Sequence, residues 1–159
     1  MADFEIKIKD HTGEVMRLFE QRLQTALEAV GMQAESHAKQ IITDFMAYGN
    51  DSFQLPAGYR EKDNSRVDTG RLRNSVTHTV SQNEVYIGSN LEYAPYHELG
   101  TGKYASQPGG RQSPWIYVDA HGVGHKTNGL APIHFLKRSA ANYLDEYKNI
   151  MNDILSGNT

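Results

Sequence analysis

Apolar residues recur at intervals of three or four positions from about Glu14 to Tyr48, with no proline inside the stretch. This spacing predicts a long amphipathic helix, because residues three and four positions apart share one face. An unbroken helix of this length would span roughly 52 Å, which exceeds the width of a small domain. One end of it is therefore expected to contact another subunit. Gly31 leaves an alternative open, in which two shorter helices meet at that residue. The apolar stripe comprises Met16, Phe19, Leu23, Leu27, Val30, Ala34, Ala38, Ile41 and Phe45.

Strands are predicted in three other places, in the first two of them because apolar and polar residues alternate. The first runs from Phe4 to Ile8. The second begins at Ser75 and alternates to Val80; turn-forming residues and another apolar run, Val85 to Gly88, follow it, so we predict a β-hairpin there. The segment from Trp115 to Val118 is rich in aromatic and β-branched residues. We expect it to be a third strand of the same sheet.

Two further helices are predicted in the second half of the chain. Tyr93 to Leu99 has helical spacing, and the glycines of Gly100-Thr101-Gly102 can end that short helix because glycine permits positive φ. Pro132 suits the first position of a last helix that extends to near Leu155 and stops at Gly157.

Polar, glycine-bearing segments connect these elements. Residues 49–66 and 103–113 are predicted to be long loops, and loops of such length tend to be functional. Residues 119–131 are predicted to form either a wide turn or a short extra hairpin. The chain is therefore predicted to be a single α+β domain over residues 1–159, in which the long N-terminal helix and the C-terminal helix pack on one face of a mostly antiparallel β-sheet with long loops.

The composition excludes several classes of protein. Hydrophobic residues make up 38% of the chain and the net charge is -3, which argues against a dedicated nucleic-acid binder with a strongly basic face. Without cysteine, the chain can form neither a disulfide framework nor a thiolate metal site. No apolar run is long enough to cross a membrane, so we expect no membrane partner.

Two motifs carry most of the functional information: VDTGRLRNSV, which begins at Val67, and LEYAPYHELGTG, which begins at Leu91. PWIYVD, GVGHKTNGLAP and FLKRSA follow in that order. Over roughly Val67 to Ala140 this arrangement resembles the tail-completion, or minor tail-component, family of lambda-like long-tailed bacteriophages. The positions that match the recurring pattern are Asp68, Gly70, Leu72, Tyr93, Ala94, Glu98, Gly100, Thr101 and Gly102.

The resemblance implies a non-enzymatic virion protein of the neck, assembled in the bacterial cytoplasm. It implies a ring, hexameric by analogy, that completes the tail and joins it to the head connector or stopper. The tail terminator or tube protein would lie on its other side, and phage DNA would pass through without sequence-specific binding. The family has no shared catalytic residues, so the resemblance implies no cofactor.

Asp68 is the residue with two competing interpretations. It can cap a short helical turn by accepting hydrogen bonds from the amides of Gly70 or Arg71. Asp68-Thr69-Gly70 is also the tripeptide of aspartic proteases, which suggests a small hydrolase as an alternative. Arg66 and Arg71 oppose that alternative, because a nearby guanidinium holds a carboxylate ionised, whereas those proteases share a proton between two aspartates.

The remaining candidate residues are expected to lie in interfaces or to make structural contacts. Tyr93, Tyr96 and Glu98 form a cluster of polar and aromatic residues; we favour a core position for Tyr93 and leave Tyr96 open between core and interface. The positions retained as structural or interface candidates are Asp68, Gly70, Arg71, Leu72, Tyr93, Tyr96, Glu98, Gly100 and Gly102.

The sequence raises two other possibilities, a metal site and a DNA-binding segment. His121, His125 and His134 with Asp119 suggest a metal, but a three-residue gap in glycine-rich sequence does not fix ligand geometry, so no metal site is predicted. The segment from Arg60 to Arg73 has a local excess of basic residues and offers a DNA-binding module as a further alternative.

Overall fold

The computed structural model describes residues 9–48, 70–118 and 121–157, and it confirms the predicted α+β class. The first half contains α1 (Thr12–Tyr48), α2 (Arg71–Ser75), β1 (Val76–Ser81) and β2 (Glu84–Ser89). The second half contains α3 (Ala94–Leu99), a 3-10 turn (Gly102–Tyr104), β3 (Trp115–Val118), β4 (Gly124–Thr127), α4 (Phe135–Asn142) and α5 (Leu144–Ser156). The predicted strand at residues 4–8, the loop at 49–66 and Asp68 lie outside the described residues.

Helix α1 is one continuous helix of 37 residues, so the alternative break at Gly31 is wrong. The glycine is buried, and a Cβ atom placed on it would overlap the imidazole ring of His78. Gly31 therefore provides close approach of another element and does not interrupt the helix.

The core lies against the second half of α1. Ala38, Ile42 and Phe45 are buried there to 2% exposure or less. The residues that pack against them from other elements are Leu72, Val76, Ala94, Ile133 and Phe135. Burial of this cluster holds α2, the first hairpin, α3 and α4 on one end of the long helix.

The first hairpin agrees with its prediction. Strands β1 and β2 pair antiparallel from Val76 opposite Ser89 to Ser81 opposite Glu84. Gln82 and Asn83, at the turn, both have positive φ, as a type I′ turn requires. One face of β1 is turned towards α1, which explains the alternation of buried and exposed side chains.

The segment from Trp115 to Val118 is a strand as predicted, but its expected place in the first sheet is wrong. It pairs with β4 in a separate two-stranded antiparallel sheet, so the extra hairpin is the correct alternative for residues 119–131. The pairing is local because residues 124–127 follow β3 closely enough for a hairpin connection.

The predicted single C-terminal helix is also wrong in two respects. Pro132 precedes α4 and lies outside the helix, and the amide of Ile133 donates to the carbonyl oxygen of His97 over 2.7 Å. The helix then breaks at Tyr143, whose ring stacks on His37 of α1 with centroids 3.6 Å apart. Gly157 ends α5 with a φ of 77°, as predicted.

In the part of the chain that the structure describes, no helix is long and apolar enough to cross a membrane.

Candidate interaction surfaces

The second motif folds into a structure that we call the clasp, in which residues 97–106 lie against residues 128–137. Backbone hydrogen bonds join the two segments at Thr101 N to Leu130 O (2.8 Å) and at Lys103 N to Asn128 O (3.0 Å). The Thr101 hydroxyl accepts a further bond from Leu130 N at 2.8 Å. These bonds connect the end of α3 to the start of α4 and fix the base of the β3–β4 hairpin between them.

Glycine is required at several positions of the clasp because the two segments touch backbone to backbone. Gly100 has a φ of 74°, and an added Cβ would lie 2.8 Å from the carbonyl oxygen of Leu130. Gly102 has a φ of 62°, and its Cβ would overlap the carbonyl oxygen of Asn128. The GTG sequence is therefore a consequence of close approach and of left-handed backbone.

Glu98 caps the first turn of α4. Its two carboxylate oxygens accept hydrogen bonds from the backbone amides of Leu136 (2.9 Å) and Lys137 (3.0 Å). Free amides at a helix N-terminus favour a negative charge, so this carboxylate satisfies two donors and also complements the helix dipole. Glu98 thus has a structural function that links α3 to α4.

The β3–β4 hairpin presents its apolar residues to solvent. Ile116 and Val118 lie on one face of β3 and are 72% and 66% exposed, and Val123, in the connection to β4, is also exposed. Lys126 is directly opposite Ile116 in the register and so shares that face. The opposite face contains Trp115, which packs on Gly102 of the clasp. Two strands alone are marginally stable, so an uncovered apolar face of this kind is typical of an interaction surface.

The start of α1 forms a second exposed apolar surface, the overhang, defined as residues 12–21. Every one of these residues is exposed. Arg22 marks the boundary, since its guanidinium donates to the carbonyl oxygen of Leu155 at the end of α5. The large apolar side chains of the overhang are Val15, Met16, Leu18 and Phe19, exposed by 46% to 61%. Met16 and Phe19 continue the stripe that is buried further along the same helix, and Val15 and Leu18 widen it on one side.

A histidine and two glutamates, which we call the latch, fasten the first hairpin to α1. His78 Nδ1 lies 2.6 Å from a carboxylate oxygen of Glu35, and His78 Nε2 lies 3.2 Å from one of Glu28. Carboxylate oxygens only accept hydrogen bonds, and an imidazole donates from both nitrogens only when protonated. Lys39 holds the other oxygen of Glu35 at 2.5 Å. When His78 is protonated, the latch is therefore an imidazolium between two carboxylates.

The latch makes stability depend on pH. The hydrogen bond to Glu35 raises the pKa of His78 above 6.5, and Glu28 adds to the shift while burial opposes it. The bond to Lys39, followed by the bond to His78, lowers the pKa of Glu35 below 4.5. The contribution of His78 is therefore complete below its unfolded pKa and is lost as pH rises through the raised folded value; that of Glu35 is lost only as pH falls through its lowered value.

We expect the wild type to be more stable than His78→Gln at about pH 5.5, and the difference to shrink towards about pH 8.5. Urea unfolding of both proteins across this range measures it. A difference that stays constant or grows with pH would show that the imidazolium is not the stabilising form.

The structure brings together only some of the predicted site residues. Gly100, Gly102 and Glu98 belong to the clasp, as described. Tyr93 is half-buried, packs against the core cluster and meets His97 edge-on at 5.8 Å between ring centroids. Tyr96 is 58% exposed, which leaves its ring available to a partner.

The residues of the first motif separate into core and surface. Leu72 is buried at 3% exposure, whereas Arg71 is exposed at the start of α2. Gly70 adopts a φ of 65° at the N-terminal end of that helix. The proposed cap by Asp68 and its protease alternative both lie outside the described residues.

The metal and DNA alternatives gain no support from the described part of the chain. There, no group of three or more histidine, aspartate or glutamate side chains could hold a metal ion. Asp119 is outside the described residues. Of the Arg60–Arg73 segment, only Arg71 and Arg73 among its cations are described, and both are exposed.

Sequence reasoning missed the latch and the exposed face of the second hairpin. A signal for the latch was present, because Glu28, Gly31 and Glu35 fall on one face of α1 at intervals of three and four. Two acids flanking a glycine on a helix face favour a cationic side chain that packs closely against the helix. The exposure of Ile116 and Val118 had no such signal, since their pattern equally suits a buried strand.

Comparison with protein-family models, with curated proteins and with solved structures finds no match to this chain in any of the three.

Proposed function

We propose that this protein is a structural subunit of a bacteriophage neck, which completes the tail and joins it to the head connector. In this role it assembles as a ring around the DNA passage, in contact with the connector or stopper on one side and the tail terminator or tube on the other. It acts by assembly and has no turnover chemistry. The motifs VDTGRLRNSV and LEYAPYHELGTG support the proposal through their resemblance to the tail-completion family.

The observation that carries the proposal is the pair of exposed apolar surfaces, the overhang and the outer face of the β3–β4 hairpin. Single exposed apolar side chains are ordinary on protein surfaces, but clusters on a helix face and on a strand face favour protein partners. A ring needs two different surfaces on each subunit, because each copy contacts one neighbour on either side.

The clasp supports the same role through its rigidity. Backbone contacts at Gly100 and Gly102, together with the Glu98 cap, fix the hairpin relative to α3 and α4. A surface held in this way loses little conformational entropy on docking. The negative net charge of the chain also suits a DNA passage, because fixed cations are what hold phosphates tightly.

Reconstruction of the neck from intact virions tests the proposal. The expected result is density for this chain as a ring between connector and tail. Its absence from particles that are complete and infectious would overturn the assignment.

A further inference from the structure

We propose that neighbouring copies of this chain associate head to tail, with the outer face of the β3–β4 hairpin of one copy packed on the overhang of the next. The setting in a neck ring rests on the proposed function, whereas the contact between two copies is argued from the structure alone.

The two surfaces lie at opposite ends of the molecule. The clasp, which carries the hairpin, is tied to the core cluster by Ile133 and Phe135, and that cluster lies against the half of α1 that begins near Ala38. Phe19 of the overhang is about 28 Å away along the helix axis. Helix α5 ends beside Arg22, so the overhang extends past it. A copy therefore cannot cover its own overhang with its own hairpin, and a second molecule has to supply one.

Charge favours a second copy as that partner. From position 98 to 138 the described residues include one acidic side chain, Glu98, which is engaged as the cap of α4. The basic side chains of the same region are Lys103, Arg111, Lys126, Lys137 and Arg138. On the overhang, Glu14 and Glu20 flank the apolar face, and Arg17 lies on the opposite side of the helix. Asp153 lies near the end of α5. Two basic hairpin ends repel each other, whereas the glutamates beside the apolar face of the overhang attract a basic end, so charge favours head-to-tail contact.

The two surfaces also complement each other in chemistry. Ile116 and Val118 lie on one face of a short two-stranded ribbon, with Lys126 beside them. The overhang offers an apolar stripe bordered by Glu14 and Glu20. Packing the ribbon on the stripe buries aliphatic side chains on both partners and places the lysine among carboxylates. Because the helix stripe and the strand face differ, the contact is heterologous, which is the kind that closes into rings.

Chemical crosslinking of single-cysteine variants tests this contact directly. The chain contains no cysteine, so Phe19→Cys and Val118→Cys each carry one thiol. Both positions are exposed, and neither substitution removes a core contact. The two proteins are mixed, one of them with a mass tag, and treated with a short bis-maleimide. The expected product is the mixed Phe19–Val118 dimer, formed severalfold faster than any other pair because contact raises the effective concentration of the two thiols.

The matched control is Tyr86→Cys, which places an equally exposed thiol on the first hairpin, outside the proposed contact. Mixed dimers of Phe19→Cys with Tyr86→Cys should form only at the rate of random collision. A Phe19–Val118 yield equal to this control would overturn the inference. Dominance of Phe19–Phe19 or Val118–Val118 homodimers would overturn it too, because like ends would then be paired.

The crosslinking result and the virion reconstruction are independent. A mixed dimer in solution together with absence of the protein from virions would keep the contact and reject the neck assignment. A neck ring without the Phe19–Val118 crosslink would do the reverse.

Discussion

Gly102→Ala is expected to lower the free energy of unfolding by about 3 kcal/mol or more, which places it among the severe substitutions. The left-handed backbone at this position costs any other residue about 1–2 kcal/mol. The added methyl group would also overlap the carbonyl oxygen of Asn128 and lie 2.8 Å from the ring of Trp115. The backbone must then separate, and the bond from Lys103 N to Asn128 O is lost. Urea unfolding, followed by the fluorescence of the only tryptophan, measures the effect.

Gly109→Ala is the matched control for this substitution. Gly109 also has a positive φ, 94°, but nothing lies within 4 Å of an added Cβ. It should show the backbone strain without the steric overlap, and so about 1–2 kcal/mol of destabilisation. Equal losses in the two variants would mean that the clasp tolerates separation of its segments.

Gly31→Ala is expected to destabilise the protein by about 1–3 kcal/mol, the usual effect of overpacking, although alanine is the better helix former. The new methyl group would overlap the imidazole of His78, whose two nitrogens are held by Glu28 and Glu35. The ring can move only by giving up those bonds. Gly13→Ala, in the same helix with nothing within 4 Å, should lack this effect.

A double-mutant cycle shows whether His78 is the cause. In a His78→Ala background the overlap is absent, so Gly31→Ala should become stabilising by up to about 1 kcal/mol, the difference in helix propensity. Equilibrium unfolding of the four proteins gives the coupling. Destabilisation of similar size in both backgrounds would mean that something other than the ring fills the space beside Gly31.

The fold could be predicted where local pattern and tertiary packing agree. The stripe of α1 and the turn at Gln82 and Asn83 follow from spacing and turn chemistry. The partner of β3 could not be predicted, because strand pairing depends on which segments meet in space. The sequence places the start of α4 too early for a related reason. The amide of Ile133 donates to the carbonyl oxygen of His97, and the local sequence gives no sign of this contact.

The motifs identify the candidate residues, but only the three-dimensional contacts explain what those residues do. Glu98 was expected in a cluster with Tyr93 and Tyr96, yet its carboxylate binds amides of α4 that lie 38 and 39 positions further along the chain. The glycines of the clasp were expected to end a helix; Gly100 does so, and both Gly100 and Gly102 also allow contact with residues 128–132. A sequence displays periodicity within an element but not the contacts between distant elements.

The overhang has a consequence for the strength of assembly. All ten of its residues are exposed, and isolated helices shorter than about 12–15 residues are marginal in water. Their helical order is therefore supported by continuity with the packed part of α1, and their local opening free energy lies at the low end for the molecule. A neighbour that covers them has to offset the entropy of ordering three turns. In the proposed ring, each single contact would then be weak, and closure, which holds every copy at both ends, would make the assembly stable in one cooperative step.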